Sequence, residues 1–274
     1  MKRAGVTLVE MLIAMTVFSI FATSVTLVLI RNSWSDEGVT ARREARGVAR
    51  SALNIVESDL RMAEPNGVVS ADDSTLVLRA PFAFGLVCGT SGGNSTISVL
   101  PSADLPSSLS VPEFSGWAYR DSTGTYQYQS TVSLSSGSSS TCTAVNITTL
   151  TASSGRVVQV PSAVNVGAGQ AAFLYRTIVY AIRGSSMYPG RRGLYRQAGV
   201  NGGEEIAAPF ATTARFRWFI LDAAVPSDTL PTALGDLRGV QFGLTAESRT
   251  APRGKTAPVQ APFTTSIFFQ NRPN

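Results

Sequence analysis

The most apolar stretch of the chain lies at its start. No charged residue occurs from Met11 to Ile30. As a helix this run would be about 30 Å long, the thickness of a bilayer's hydrocarbon core. From Arg31 onward the run gives way to a mixed pattern. Val48, Ala52, Ile55, Val56 and Ala63 recur at helical spacing, with Met62 at the margin, and predict a narrow buried stripe. Trp34 stands where an aromatic anchor at the membrane interface is useful, and Gly38 is a weak point of the helix. Pro65-Asn66-Gly67 ends it.

Beyond Gly67 short apolar runs alternate with turn residues, which predicts strands at 74–80, 97–100, 116–120 and 124–134. The run 135–140, six residues of Ser and Gly, reads as a solvated connection. The second half holds clearer strands: 171–184, then 193–196 as its hairpin partner across 187–190, then 215–221, 237–245 and 264–270. In the segment 237–244, Val240, Phe242 and Leu244 share one face and Leu237 falls out of register with them. The fold class is therefore α+β. A long N-terminal helix, 6–64, spans a membrane with its first half (6–30) and packs its second half on the antiparallel sheet or sheets of a β-rich domain, 65–274.

Charge gives the orientation. Lys2 and Arg3 precede the apolar run, so that end stays cytoplasmic and the remainder is exported. The run is longer than a secretory signal core and passes straight into another helix, unlike a cleaved signal peptide. A chain rich in Ser, Thr and Gly and poor in Lys suits an exported domain. Its two cysteines, Cys88 and Cys142, allow two readings in that setting: a disulfide, or two unpaired small core residues. A disulfide would contribute about 4 kcal/mol through closure of a long loop.

Candidate chemistry is sparse. The chain has no His, which removes the commonest general base and metal ligand. No metal site and no cofactor is expected. Glu204 and Glu205 are adjacent, so on a strand they would face opposite ways and in a loop they would be solvated. The expectation is a protein that is not an enzyme. The net charge of +5 permits phosphate contact without requiring it. Arg42, Arg43, Arg46 and Arg50 could form a solvated face paired with Glu44, Glu57 or Asp59, or could meet lipid phosphate or acidic neighbours. Arg191 and Arg192 with Tyr188 and Tyr195 could make a basic-aromatic patch for nucleic acid, or simply a hairpin with exposed charges, which is the preferred reading.

One residue breaks the pattern. Glu10 stands at the head of the apolar run, where it either rests in the headgroup zone without a role or, deeper, costs free energy unless it is paired. The segment Ala4-Gly5-Val6-Thr7-Leu8-Val9-Glu10-Met11-Leu12 resembles the type IV prepilin leader. The resemblance implies a short basic leader, residues 1–5, removed between Gly5 and Val6 by a membrane aspartyl protease, the prepilin peptidase. The same enzyme would then N-methylate Val6; the family usually has Phe at that position. Glu10 would pair with the N-terminal ammonium of a neighbouring subunit and set register during assembly. The implied partners are other pilins, major and minor, the peptidase and an inner-membrane assembly platform.

Several shorter segments are similar to the PilW-like minor pilins and J-class pseudopilins: Asp59-Leu60-Arg61-Met62-Ala63, Gly193-Leu194-Tyr195-Arg196, Val240 to Leu244, and Thr265 to Arg272. That likeness implies a minor pilin, acting in initiation or at the tip of a pilus used for twitching motility, adhesion or DNA uptake. It equally implies a J-class pseudopilin of a type II secretion system; a tip-located adhesin or DNA-binding module is a further alternative. The chain would sit single-pass in the inner membrane before assembly and afterwards in a pilus, at the cell surface or in the periplasm.

Overall fold

Thr7 and Glu10 start the helix together. Thr7 is the N-cap, and its hydroxyl accepts from the Glu10 amide at 3.3 Å while the Glu10 carboxylate accepts from the Thr7 amide at 2.9 Å. This reciprocal box satisfies two amides that the first turn leaves without partners. In the computed structural model, which describes residues 7–91, 93–99, 114–130, 135–136, 156–161, 166–199 and 202–269, α1 then runs unbroken over Leu8–Met62. No proline interrupts it, and 55 residues at the standard rise make it about 82 Å long. Five hydroxyls within the apolar run are turned back onto the helix. Those of Thr16, Ser19, Thr23, Ser24 and Thr26 each donate to a carbonyl three or four residues earlier. That arrangement lets polar side chains sit in hydrocarbon without unmet donors.

Residues 8–35 of α1 are all exposed, so the first half of the helix projects away from the rest of the chain. The second half is seated by Ala41, Ala45, Ala49, Ala52, Leu53, Val56 and Leu60, with Ala63 just beyond. The stripe differs from the predicted one. Ile55 and Met62 face solvent, Val48 is half-buried, and alanines take the inner positions. A helix lying close against a sheet needs small side chains at the closest approach, and hydrophobicity alone does not rank residues by that need.

Thirteen strands follow among the described residues: β1 (Val68–Ala71), β2 (Thr75–Ser91), β3 (Asn94–Val99), β4 (Gly116–Arg120), β5 (Tyr126–Ser130), β6 (Ser135–Ser136), β7 (Arg156–Pro161), β8 (Ala171–Gly184), β9 (Arg192–Ala198), β10 (Glu204–Phe210), β11 (Arg215–Ile220), β12 (Leu237–Glu247) and β13 (Gln260–Phe268). All of their pairings are antiparallel and join them into one sheet. The two longest strands, β2 and β8, pair from Thr75↔Ala181 to Leu86↔Ala171. The other edge of β8 is shared: Ala172–Tyr175 bind β4, and Ile178–Gly184 bind β9. The sheet thus has two halves built on the same long hairpin-like pair. In the first, α1 covers β2, β8 and β9–β13 over a core that includes Tyr180, Phe210, Phe216, Trp218, Val240 and Phe242. In the second, β3, β4, β7 and the ends of β2 and β8 enclose Trp117, Ile97, Val160 and Leu174.

Several features differ from the predicted ones. β2 continues past Pro81, because a register shift between Pro81 and Ala83 accommodates a residue that cannot donate to the ladder. Leu237 is buried with Val240 and Phe242, because the pairing slips between Phe219↔Gly239 and Ile220↔Leu237 and leaves Arg238 as the extra residue. Glu204 and Glu205 lie on β10 rather than in a loop. Ser135–Ser136 pairs with β7, and the rest of that serine run lies outside the described residues.

Candidate assembly and anchoring site

Glu10 is exposed at the head of α1. Besides the Thr7 amide its carboxylate accepts from the Thr7 hydroxyl at 3.0 Å. Along the flank below it Ile13, Ala14, Val17, Phe18 and Phe21 line a shallow apolar groove. The carboxylate therefore has a role inside its own chain, as a cap, that sequence spacing could have found from Thr7 and Glu10 three apart.

At the other end of α1 the helix is clamped to the sheet by charge. The Asp59 carboxylate accepts from Arg196 Nε of β9 at 2.9 Å and from the Tyr180 hydroxyl of β8. Arg196 Nε also lies 3.2 Å from the Tyr180 oxygen. Asp59 is buried and the Arg196 side chain is 26% exposed. Burial, reinforced by the adjacent Asp59 charge, pushes the Tyr180 hydroxyl well above the usual tyrosine range. Burial works against the Arg196 charge, but the Asp59 carboxylate outweighs it and raises the guanidinium. Asp59 and Arg196 come from two of the short segments singled out separately in the sequence, and here they meet.

Between these ends the connection from β12 to β13 lies along α1. Arg249 pairs with Glu44 at 3.0 Å and Arg253 with Glu37 at 3.5 Å. A methyl group placed on Gly254 would touch the Trp34 ring at 3.7 Å. Trp34 thus lies within van der Waals reach of that connection. It stands one helical turn, about 6 Å, beyond the end of the apolar run.

Residues 1–26 match the family model described as the prokaryotic N-terminal methylation motif. The chain carries a type IV prepilin-like leader. Comparison with curated proteins and with solved structures finds no match. With the leader in place, the apolar half of α1 is a single-pass inner-membrane anchor and the β-rich part is exported, as the charge asymmetry predicts. The chain is type IV pilin-like or pseudopilin-like, and the motif carries with it dealings with pilins and a prepilin peptidase in general.

The expected cleavage and methylation residues of this leader, Gly5 and Val6, lie outside the described residues. Cys88 is fully buried against Leu86 and Val157 and is not a free thiol; its expected partner Cys142 lies outside the described residues. The basic-aromatic patch is spoken for internally. Arg191 reaches Glu247 at 3.3 Å and donates to the Ser248 carbonyl at 2.8 Å, and Arg192 donates to the Ala214 carbonyl at 3.4 Å. Tyr195 donates to the Gly184 carbonyl at 3.0 Å and lies beneath the Arg183 guanidinium. Glu204 points outward while Glu205 turns in and accepts from Ser186 and Tyr195. Burial would raise the Glu205 carboxyl, but those hydrogen bonds outweigh it and lower it. The two carboxylates do not converge.

Proposed function

We propose that this chain is a minor type IV pilin, a non-catalytic structural subunit. It is cut after Gly5 by prepilin peptidase, methylated at Val6 and drawn from the membrane into a pilus as part of an initiation or tip complex. The observation that carries this reading is the continuous α1, which bears the leader at one end and is clamped at the other to an exported domain of roughly 200 residues. That domain is large for a subunit repeated along a whole filament. A helix held at Asp59, Glu44, Glu37 and Trp34, and free before them, can leave the bilayer without unfolding the domain it carries. Glu10 would then exchange its cap on Thr7 for the N-terminal ammonium of a neighbour, a pairing favoured where water is absent.

The test is recovery of the tagged chain in filaments sheared from native cells. Low-copy recovery beside a major pilin, with loss of piliation on deletion, supports the reading. A deletion that leaves pili intact and blocks protein secretion points instead to the J-class pseudopilin role.

A further inference from the structure

We propose that the arginine row Arg42, Arg43, Arg46 and Arg50 is a docking surface for a row of carboxylates on a different polypeptide. All four side chains are exposed on α1. Among the described residues, none has a carboxylate within ion-pair distance. The acids expected to neutralise them are engaged elsewhere: Glu44 with Arg249, Glu57 with Arg61, and Asp59 with Arg196. No acid stands three or four residues from any of the four, the spacing at which helix side chains meet. Instead Arg42, Arg46 and Arg50 face one another at four-residue spacing, and Arg43 meets Arg46 at three. Each such like-charge pair destabilises the helix that carries it. A helix that breaks this local rule repeatedly, with nothing among the described residues to compensate, is adapted to an anion that comes from outside.

The position of the row selects the partner. Arg42 lies about 18 Å and Arg50 about 30 Å along the helix beyond Ile30, whereas the headgroup layer is only roughly 5–8 Å deep. Lipid phosphate is therefore out of reach for most of the row. The same flank offers Val39, exposed, and no aromatic side chain on which a base could stack. A second copy of this chain packed helix against helix is a poor match, because Asp36 is the one exposed acid on α1 beyond the membrane span without an ion pair among the described residues. A different subunit with acids at helical spacing fits charge, length and the apolar contact at Val39. This deepens the filament-subunit reading and rests on it for where the partner stands.

The probe is a synthetic helical peptide with Glu at every fourth position, and a Gln version as control. It is titrated onto the full chain in neutral phosphatidylcholine vesicles. The expected result is salt-sensitive binding that weakens about tenfold in R42Q/R46Q/R50Q, as three exposed pairs are lost, and that R42K/R46K/R50K largely keeps. Equal peptide binding by the wild type and the Gln variant overturns the proposal. So does arginine-dependent binding seen only with phosphatidylglycerol vesicles or a single-stranded oligonucleotide. In cells the two claims separate. Wild type absent from sheared filaments removes the filament reading and leaves the peptide result standing. Gln variant present in filaments at the wild-type level removes the docking row and leaves the filament reading standing.

Discussion

Replacing Asp59 with Ala removes an acceptor that ties α1 to both β8 and β9. It strands the Arg196 guanidinium and the Tyr180 hydroxyl in a site where Asp59 itself is 8% exposed. Breaking a buried ion pair from one side costs about 3–5 kcal/mol. Arg196 keeps about a quarter of its side chain in water, so solvent recovers part of that loss and about 2–3 kcal/mol remains. For an exported domain of roughly 200 residues this lowers the midpoint of thermal unfolding by about 5–10 °C. Asp59→Asn keeps an acceptor for Tyr180 and loses only the charge, so its shift should be about half as large. The assay is thermal unfolding followed by near-ultraviolet circular dichroism at neutral pH, completed as a double-mutant cycle with Arg196→Ala. The cycle should give a coupling of at least about 1 kcal/mol. A shift under about 1 °C for Asp59→Ala, or additivity within about 0.3 kcal/mol, would refute the clamp.

Three further outcomes follow from the same structure. Ala49→Leu, at a fully buried point of the α1 seam, should destabilise by about 1–3 kcal/mol through overpacking, while Ile55→Ala on the exposed side should change little; equal effects in unfolding assays would place the seam elsewhere. Hydrogen bonds from Thr123 and Gln127 hold the Asp121 carboxyl down at about 2, so its contribution is complete above the ordinary value of 3.8 and is lost as pH falls from 3.8 towards 2; Asp121→Asn should flatten stability across that window, and an unchanged acid profile would count against it. Glu10→Gln keeps the Thr7 cap but not the charge, so insertion and leader cleavage should be normal while recovery in filaments falls about a hundredfold, the equivalent of about 3 kcal/mol of lost pairing; normal recovery would assign Glu10 to capping alone.

Where one interaction dominated, the sequence could be read directly. The apolar run Met11–Ile30 leaves few alternatives to a spanning helix, and Pro65-Asn66-Gly67 marks its end to within a few residues of Met62. The strand 171–184 coincides with β8, where a long run of aromatic and branched residues marks a central strand. What was hidden depended on several elements at once. Pro81 reads as a strand end, and only the register shift opposite β8 carries β2 past it. Leu237 reads as out of phase until the extra residue at Arg238 restores it. Ala45 and Ala49 look like weak candidates beside Ile55, because closeness of approach between α1 and the sheet is not written in either element alone. The Asp59–Arg196 contact joins positions 137 apart in sequence, and no local spacing announces it. The leader is legible as a pattern, and the three-residue spacing of Thr7 and Glu10 is that of the capping box they form.

Intact-mass analysis of the chain purified from its native host, with and without prepilin peptidase, bears most directly on the leader. A mature chain that begins at Val6 and carries one added methyl group, found only when the peptidase is present, is the expected result. A chain that keeps Met1 to Gly5 in both hosts would contradict it and leave a membrane-anchored β domain that does not enter a filament.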